Sequence, residues 1–574
     1  MAATGEIGVQ GAVHSIEQGK LAPVIRGGMF AALIIGLTLL YLFVQFRGFS
    51  TVTAMDQAQI ARNIASGEGL STRFIRPLAI WQLEQAEKEI PKENFPDFYQ
   101  APLNSIVNAM PLLLVKSSWK MTPTDLVYPA ERVIAGLSIL FFLLSVAIWY
   151  LVGSRLFDSK LALLGCAIIL VTDMMWQFSL SGLPQMLMLL LFSGVSWLTV
   201  FAMQRADRLT TVMLSLFGAG VLFGLMILAH GLAVWIFLGW LIFAAVYFSP
   251  RGIAAMAALA AVLMVTMPWM VRNYSVCGNP FGLSIYAALS SGGAPEESFL
   301  RSLDAAPPIS GSAIFSHIKS RVADQVKMIF AYLGMNLAAG AFFLALMHPF
   351  RSSVVSMFRW CVGLMWLGAV LGMGIFGLDG VISSNQLHVL LLPLFIFYGL
   401  AFLMVLWSRW ELNFPLLRML FLSVVVFLCS LPMLAALFSN RGAAIQWPPY
   451  VPPFIGILGD WFEPQEVICS DMPWAVAWYA QRRSVLLPET IRGFNQLNDY
   501  RKLGEPINGL YLTPITGNQR LFSEIYKGAY REWALLITRP PKVDGFALPF
   551  YTALPIEGEC ILFSDRDRWS KPRQ

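Results

Sequence analysis

Met55-Asp-Gln-Ala-Gln-Ile-Ala-Arg-Asn-Ile-Ala-Ser-Gly-Glu-Gly69 follows closely on the first long apolar run, Met29–Phe46. The segment reads as a short helix lying near a membrane surface, with Asp56 at its start. Asp56, Gln59 and Asn63 share one face, the alanines at 58, 61 and 65 share the other, and Gly67 and Gly69 end it. A carboxylate and two amides beside a hydrocarbon-crossing stretch would mark a reactive border between lipid and water. Whether they do depends on how the rest of the chain treats the bilayer.

The 574 residues are 57% hydrophobic and 13% charged, against about 25% charged in an ordinary soluble domain. That balance excludes a soluble enzyme, a disordered chain and a disulfide-stapled secreted module. Roughly eleven charge-poor runs suit helices crossing about 30 Å of hydrocarbon. They are Met29–Phe46, Val133–Gly153, Leu161–Trp176, Leu183–Met203, Thr211–Ala229, Gly231–Phe248, Ile253–Val271, Met328–Met347, Trp360–Leu378, Leu387–Trp407 and Met419–Phe438. The net charge of +6 is too modest for a nucleic-acid partner, and the six cysteines show no C-x-x-C spacing. No small-residue cleavage pattern follows the first run, which reads as a retained span.

Pro102–Val115 is apolar but short, and reads as an interfacial or re-entrant segment on the outer face. With a cytoplasmic N-terminus, Lys20, Arg26, Arg155, Lys160, Arg205, Arg208, Arg251, Arg351, Arg359, Arg409 and Arg418 then all fall at cytoplasmic span ends. The short outer turns 177–182, 230 and 379–386 carry no Lys or Arg. The positive-inside rule favours this arrangement over one in which Pro102–Val115 crosses. The expected organisation is a cytoplasmic N-terminus (1–26), a transmembrane domain (27–440) with external loops 47–132 and 272–327, a Pro-rich linker (441–465) and an external tail domain (466–574). In the tail, strands are predicted at Glu466–Ser470, Ser484–Leu487, Ile507–Thr513, Trp533–Thr538 and Cys560–Ser564. Helices are predicted at Asp471–Gln481 and Thr490–Leu503. This alternation suggests a small α/β domain.

The ordered set Asp56, Ala61, Asn63, Gly67, Gly69, then Pro102-Leu103, then Arg132, then Pro268-Trp-Met-Val-Arg-Asn273 with Gly278-Asn-Pro280, resembles the GT-C membrane glycosyltransferases. The likeness is closest to the branch of protein O-mannosyltransferases and lipid A aminoarabinose transferases. It implies a GT-C-like fold with membrane-parallel helices in the first external loop, in a multi-pass protein of a bacterial inner membrane whose tail faces the periplasm. It also implies inverting transfer of a sugar, hexose or pentose, from a polyprenyl-phosphate carrier to a hydroxyl on a protein, lipid or polysaccharide. Asp56 would be the general base. Arg62, Asn63, Arg76, Tyr99, Gln100, His230, Arg272 and Asn273 would contact the substrates, with His230, Arg272 and Arg76 nearest the leaving phosphate.

Two departures stand against the resemblance. Where the aminoarabinose transferases carry an acidic–basic–Pro–Pro run with a metal-binding acid, this chain has Tyr99-Gln-Ala-Pro102; the metal-ligand pattern is not matched, so no cofactor is expected, with a divalent metal left open as the alternative. The outer turn Ser179–Gln185 lacks the family's second carboxylate; Asp173, some two turns earlier, is either its substitute or a buried hydrogen-bonded group.

Each residue also has a structural reading. Asp56 could cap its helix with Gln59. Arg62 and Arg76 could snorkel at the interface, Arg272 and Asn273 could anchor a span end, and His230 could be a packing histidine. Asp565-Arg-Asp567 reads as a solvated charge run. Cys469 and Cys560 are either bridged or buried free thiols. Two other functions remain open, a secondary transporter or lipid flippase and a membrane scaffold presenting the tail. The absence of an evident repeat argues against the transporter.

Overall fold

The computed structural model describes residues 22–116, 119–121, 125, 127–289, 299–304, 311–409, 414–438, 452–513, 531–534, 536, 546–554 and 560–570. Seven helices among them are long and apolar enough to cross a membrane: Pro129–Leu156, Gln185–Gln204, Leu209–Ala229, Ile253–Cys277, Ser353–Phe376, His388–Arg409 and Pro415–Phe438. Each coincides with an expected run, and the chain is a multi-pass membrane protein. The run at Leu161–Trp176 is a bent pair instead, Ser159–Leu170 and Asp173–Leu180, meeting at 56°. Met29–Phe46 and Gly231–Phe248 appear as the shorter apolar helices Phe30–Gln45 and Ala233–Tyr247.

The expected span Met328–Met347 is not a single helix. Gly334 and Met335 adopt φ of +64° and +52°, which stops helical propagation. Asn336 then caps a new helix by accepting from the Ala339 N–H at 3.1 Å. The run is thereby cut into Ile329–Tyr332, Leu337–Gly340 and Phe342–Ala345. Apolar composition alone hides such a break.

Small residues set several close helix crossings. A Cβ on Gly220 would lie 2.4 Å from the Ala258 carbonyl oxygen, so Leu209–Ala229 and Ile253–Cys277 meet backbone to backbone, as close membrane crossings require.

Outside the helices lies one six-stranded sheet. Its strands are β1 (Phe74–Ile75), β2 (Val467–Ser470), β3 (Arg483–Leu486), β4 (Ile507–Leu512), β5 (Phe550–Ala553) and β6 (Ile561–Ser564), in the order β1-β3-β2-β4-β6-β5. Pairing is parallel from β1 through β4 and antiparallel beyond. A small α/β domain is present. Its first strand, however, comes from the 47–132 loop, so loop and tail form one sheet. β1 is too short to be read from the sequence.

Other tail expectations shift. Arg531–Trp533 is a 3₁₀ turn rather than the start of a strand, residues 537–538 lie outside the described residues, and β5 takes the edge. The helix expected at Asp471–Gln481 starts at Pro473 and widens into a π-turn at Val476–Ala480. Thr490 caps Ile491–Asp499 through the Gly493 N–H at 3.0 Å, and that helix stops short of Leu503. Part of the 441–465 connector is itself helical, Pro452–Trp461. Cys469 and Cys560 are both buried and neither is in a disulfide.

Candidate active site

Val52–Ser66 begins four residues before Asp56, behind Thr51 at the N-cap, and ends at Gly67 with φ +90°. Asp56 therefore sits in the second turn, beyond the reach of the first free N–H groups, and does not cap the helix. Nor does this helix lie open on a surface, because every residue from Ala54 to Asn63 is buried. A polar side chain in such a place must be hydrogen-bonded by protein, and the surroundings of Asp56 meet that demand.

Asp56 is 0% exposed. Its Oδ1 accepts from Gln59 Nε2 at 3.1 Å, and its Oδ2 accepts from Gln100 Nε2 at 2.7 Å and Arg76 Nη2 at 2.5 Å. Arg76 directly follows β1, so the strand pairing with β3 fixes its backbone. Its guanidinium is held between two rings, 4.0 Å from the Phe74 centroid and 4.1 Å from that of Tyr99, an arrangement that favours the cation. Gln57 donates to Gln100 Oε1 at 3.2 Å and accepts from Asn104 Nδ2 at 2.6 Å. The helix Pro102–Leu114, read as interfacial, thus helps hold the base of the site.

A second carboxylate, Asp97, joins this cluster. Its Oδ2 accepts from the Gln100 backbone N–H at 3.0 Å, and its Oδ1 stands 3.9 Å from Arg76 Nη1. Burial and the like charge of Asp56 push Asp97 up to about 7, against the pull of Arg76, the Gln100 amide and Arg272. Asp97, Arg76 and Tyr99 line a small pocket with Thr72, Phe74 and Leu283; Asp56 is not in its lining but is bonded to Arg76, which is. The Arg76 guanidinium occupies the place between the two carboxylates, so the pair does not fit a divalent ion.

The segment that begins at Arg272 closes on the 47–132 loop. Arg272, near the end of Ile253–Cys277, donates to the Asp97 carbonyl, to the Leu70 carbonyl at 3.2 Å and to Asn273 Oδ1 at 3.1 Å. It also stacks on Trp269 at 4.8 Å. Gly282, at φ +59°, brings the Leu283 N–H onto the Phe98 carbonyl at 3.0 Å, where a Cβ would stand 1.9 Å from that oxygen. Only glycine fits there.

Not every candidate joins the cluster. Arg62 is 2% exposed, donates to the Ala477 and Trp478 carbonyls at 2.7 Å each and stacks on Trp478 at 4.7 Å. Burial pulls it down to about 10. It is neither snorkelling nor open to a substrate; it ties the tail to the first loop. Asn63 is likewise committed to Ser71, through its carbonyl at 3.1 Å and hydroxyl at 3.3 Å. His230 ends the Leu209–Ala229 helix half-buried, and its Nδ1 accepts from the Leu232 N–H at 3.3 Å. Among the described residues no hydrogen bond links it to Asp56. Asp173 accepts from Tyr41 at 2.6 Å and Gln177 at 2.5 Å, apart from the Asp56 cluster. Asp565 pairs with Arg568 at 2.6 Å and Asp567 accepts from the Ser570 N–H at 3.0 Å, as a charge run on the tail.

Two buried acids escape a reading of the sequence. Asp97 lies in Pro96-Asp-Phe98, with no helical or strand period to mark it. Glu131, in the first turn of Pro129–Leu156, accepts from the Phe49 N–H at 3.1 Å, and from Trp478 Nε1 and the Tyr479 hydroxyl at 2.8 Å each. An acid at the head of an apolar helix was its one available signal.

No family model and no curated protein matches the sequence. Solved structures do match the fold. ArnT from Cupriavidus metallidurans, bound to undecaprenyl phosphate, gives a TM-score of 0.57 at 12% identity, over 95% of this chain and 99% of that one. The Archaeoglobus fulgidus oligosaccharyltransferase tethered with an acceptor peptide gives 0.54 at 11%, over 94% and 74%. The oligosaccharyltransferase AglB of the same organism, in complex with an inhibitory peptide and a dolichol-phosphate, gives 0.52 at 10%, again over 94% and 74%. The present chain has the same GT-C fold.

Proposed function

We propose that this GT-C chain is an inverting glycosyltransferase that moves a sugar from a polyprenyl-phosphate carrier to an acceptor hydroxyl at the periplasmic face of a bacterial inner membrane. The observation that carries the reading is a buried carboxylate, Asp56, locked by Gln100 and by Arg76, which itself lines a small pocket of the first external loop. The same-fold structures bound to undecaprenyl phosphate and to a dolichol-phosphate support the class of donor.

In this reading the long isoprenoid tail stays in the bilayer, so chemistry is confined to the lipid–water border. Proton removal from the acceptor falls to the carboxylate cluster centred on Asp56, the residue to which the resemblance points as general base; its two acids, Asp56 and Asp97, are the candidates to take the proton. The phosphate that departs is met by Arg272, whose guanidinium donates to carbonyl and amide oxygens alone, and by His230. Arg62 and Asn63 are left out of the substrate set because their donors are already used by Trp478, Ala477 and Ser71.

The test is sugar transfer by the purified full chain in nanodiscs. Short-chain polyprenyl-phosphate hexoses and pentoses serve as donors, and envelope lipid and protein fractions as acceptors. Asp56→Asn is expected to lower transfer by at least ~10²-fold. A folded Asp56→Asn protein working at the parental rate overturns the assignment.

A further inference from the structure

Asp56 and Asp97 differ in what surrounds them. Both oxygens of Asp56 are in use, by Gln59 on one and by Gln100 and Arg76 on the other, and the residue is 0% exposed. It does not line the pocket. Asp97 does, and its Oδ1 has Arg76 Nη1 no nearer than 3.9 Å, outside hydrogen-bond distance. We infer that Asp97 is the catalytic residue that takes the acceptor's proton, and that Asp56 is a positioning residue that holds Arg76 and Gln100 around it. The inference rests on the glycosyl-transfer reading above and sharpens which carboxylate does the work.

The step balances simply. The acceptor oxygen forms a bond to the sugar's anomeric carbon while the bond from that carbon to the phosphate oxygen breaks, its electron pair leaving with the phosphate. The acceptor's proton passes to Asp97 Oδ1. Asp56 already meets three donors, and taking a proton would cost it the contact with the buried Arg76 cation. Three charged groups face Asp97: Asp56 from Val52–Ser66, Arg76 beyond β1 and Arg272 from Ile253–Cys277. Burial and Asp56 push it up to about 7, and the two arginines pull the other way. A carboxylate so placed is ionised and competent above that value and is silenced by its own proton below it. Transfer measured as kcat/KM therefore falls as pH drops through about 7.

The experiment is a pH profile of kcat/KM for the full chain in nanodiscs, with Asp97→Asn, Asp97→Glu and Asp56→Asn beside the parent. Asp97→Asn is expected to lose at least ~10²-fold and its acid limb. Asp97→Glu keeps a limb. Asp56→Asn retains weak transfer with its limb moved to lower pH, because the like charge that raised Asp97 is gone. Infrared titration of the protonated-carboxyl C=O stretch supplies a second readout: a band that appears near the acid limb of the parent and is missing from Asp97→Asn. Parental transfer and an unchanged limb in Asp97→Asn overturn this inference alone. A parent that transfers no sugar from any polyprenyl-phosphate donor overturns the glycosyl-transfer reading with it.

Discussion

Replacing Arg76 by Met keeps a long side chain between Phe74 and Tyr99 and deletes the charge. The pair it breaks is deeply buried, with side chains 3% and 0% exposed at 2.5 Å. Removing one member of such a pair strands the other and costs about 3–5 kcal/mol. Loss of the cation between two rings adds about 1 kcal/mol, part of which the thioether recovers. Arg76→Met is therefore expected to lose about 4 kcal/mol of folding stability. Adding Asp56→Asn removes the stranded charge, so the double variant recovers about 2 kcal/mol relative to Arg76→Met, a non-additivity of the size seen for contacting residues. The assay is equilibrium unfolding in mixed detergent–SDS micelles, followed by tryptophan emission, on all four members of the cycle. An Arg76→Met protein within about 0.5 kcal/mol of the parent, or strict additivity in the double variant, would refute the argument that this ion pair organises the site.

Three other perturbations follow from the same geometry. Arg62→Met leaves the Ala477 and Trp478 carbonyls without their donor, at about 1–3 kcal/mol each. Limited proteolysis should release the tail faster than in the parent, and equal cleavage rates would count against the tie. Gly282→Ala places a methyl 1.9 Å from the Phe98 carbonyl at a left-handed φ; it should lose about 1–3 kcal/mol and loosen the pocket, and a parental unfolding midpoint would contradict this. Cys469 and Cys560, both buried and unbridged, should resist alkylation until the chain unfolds and leave nonreducing mobility unchanged; a mobility shift on reduction would show a bridge.

Much of the membrane architecture was legible in the sequence because hydrocarbon imposes one requirement, length of apolar helix, that composition reports directly. That signal failed at Met328–Met347, where Gly334-Met-Asn336 breaks the helix through backbone conformation. It was blind to the 56° bend between Ser159–Leu170 and Asp173–Leu180. In the tail, the strands with clear β character, such as Val467–Ser470 and Ile507–Leu512, emerged close to expectation. β1, two residues long, exists only because β3 is there to pair with it. The same holds for the site. Asp56 carried a motif, whereas Asp97 owes its place beside Arg76 to loop closure by Arg272 and Gly282, which no local pattern records. Arg62 lies in the same stretch, yet the tertiary fold turns its donors to the tail.

The most direct test is a cryo-EM structure of the full chain in nanodiscs with a short-chain polyprenyl phosphate. The account predicts phosphate density at the mouth of the pocket, within hydrogen-bond distance (~3 Å) of Arg272 or His230 and on the side of Asp97. Phosphate density more than about 15 Å from Asp97, with the pocket sealed from lipid, would contradict it, since groups that react must nearly touch.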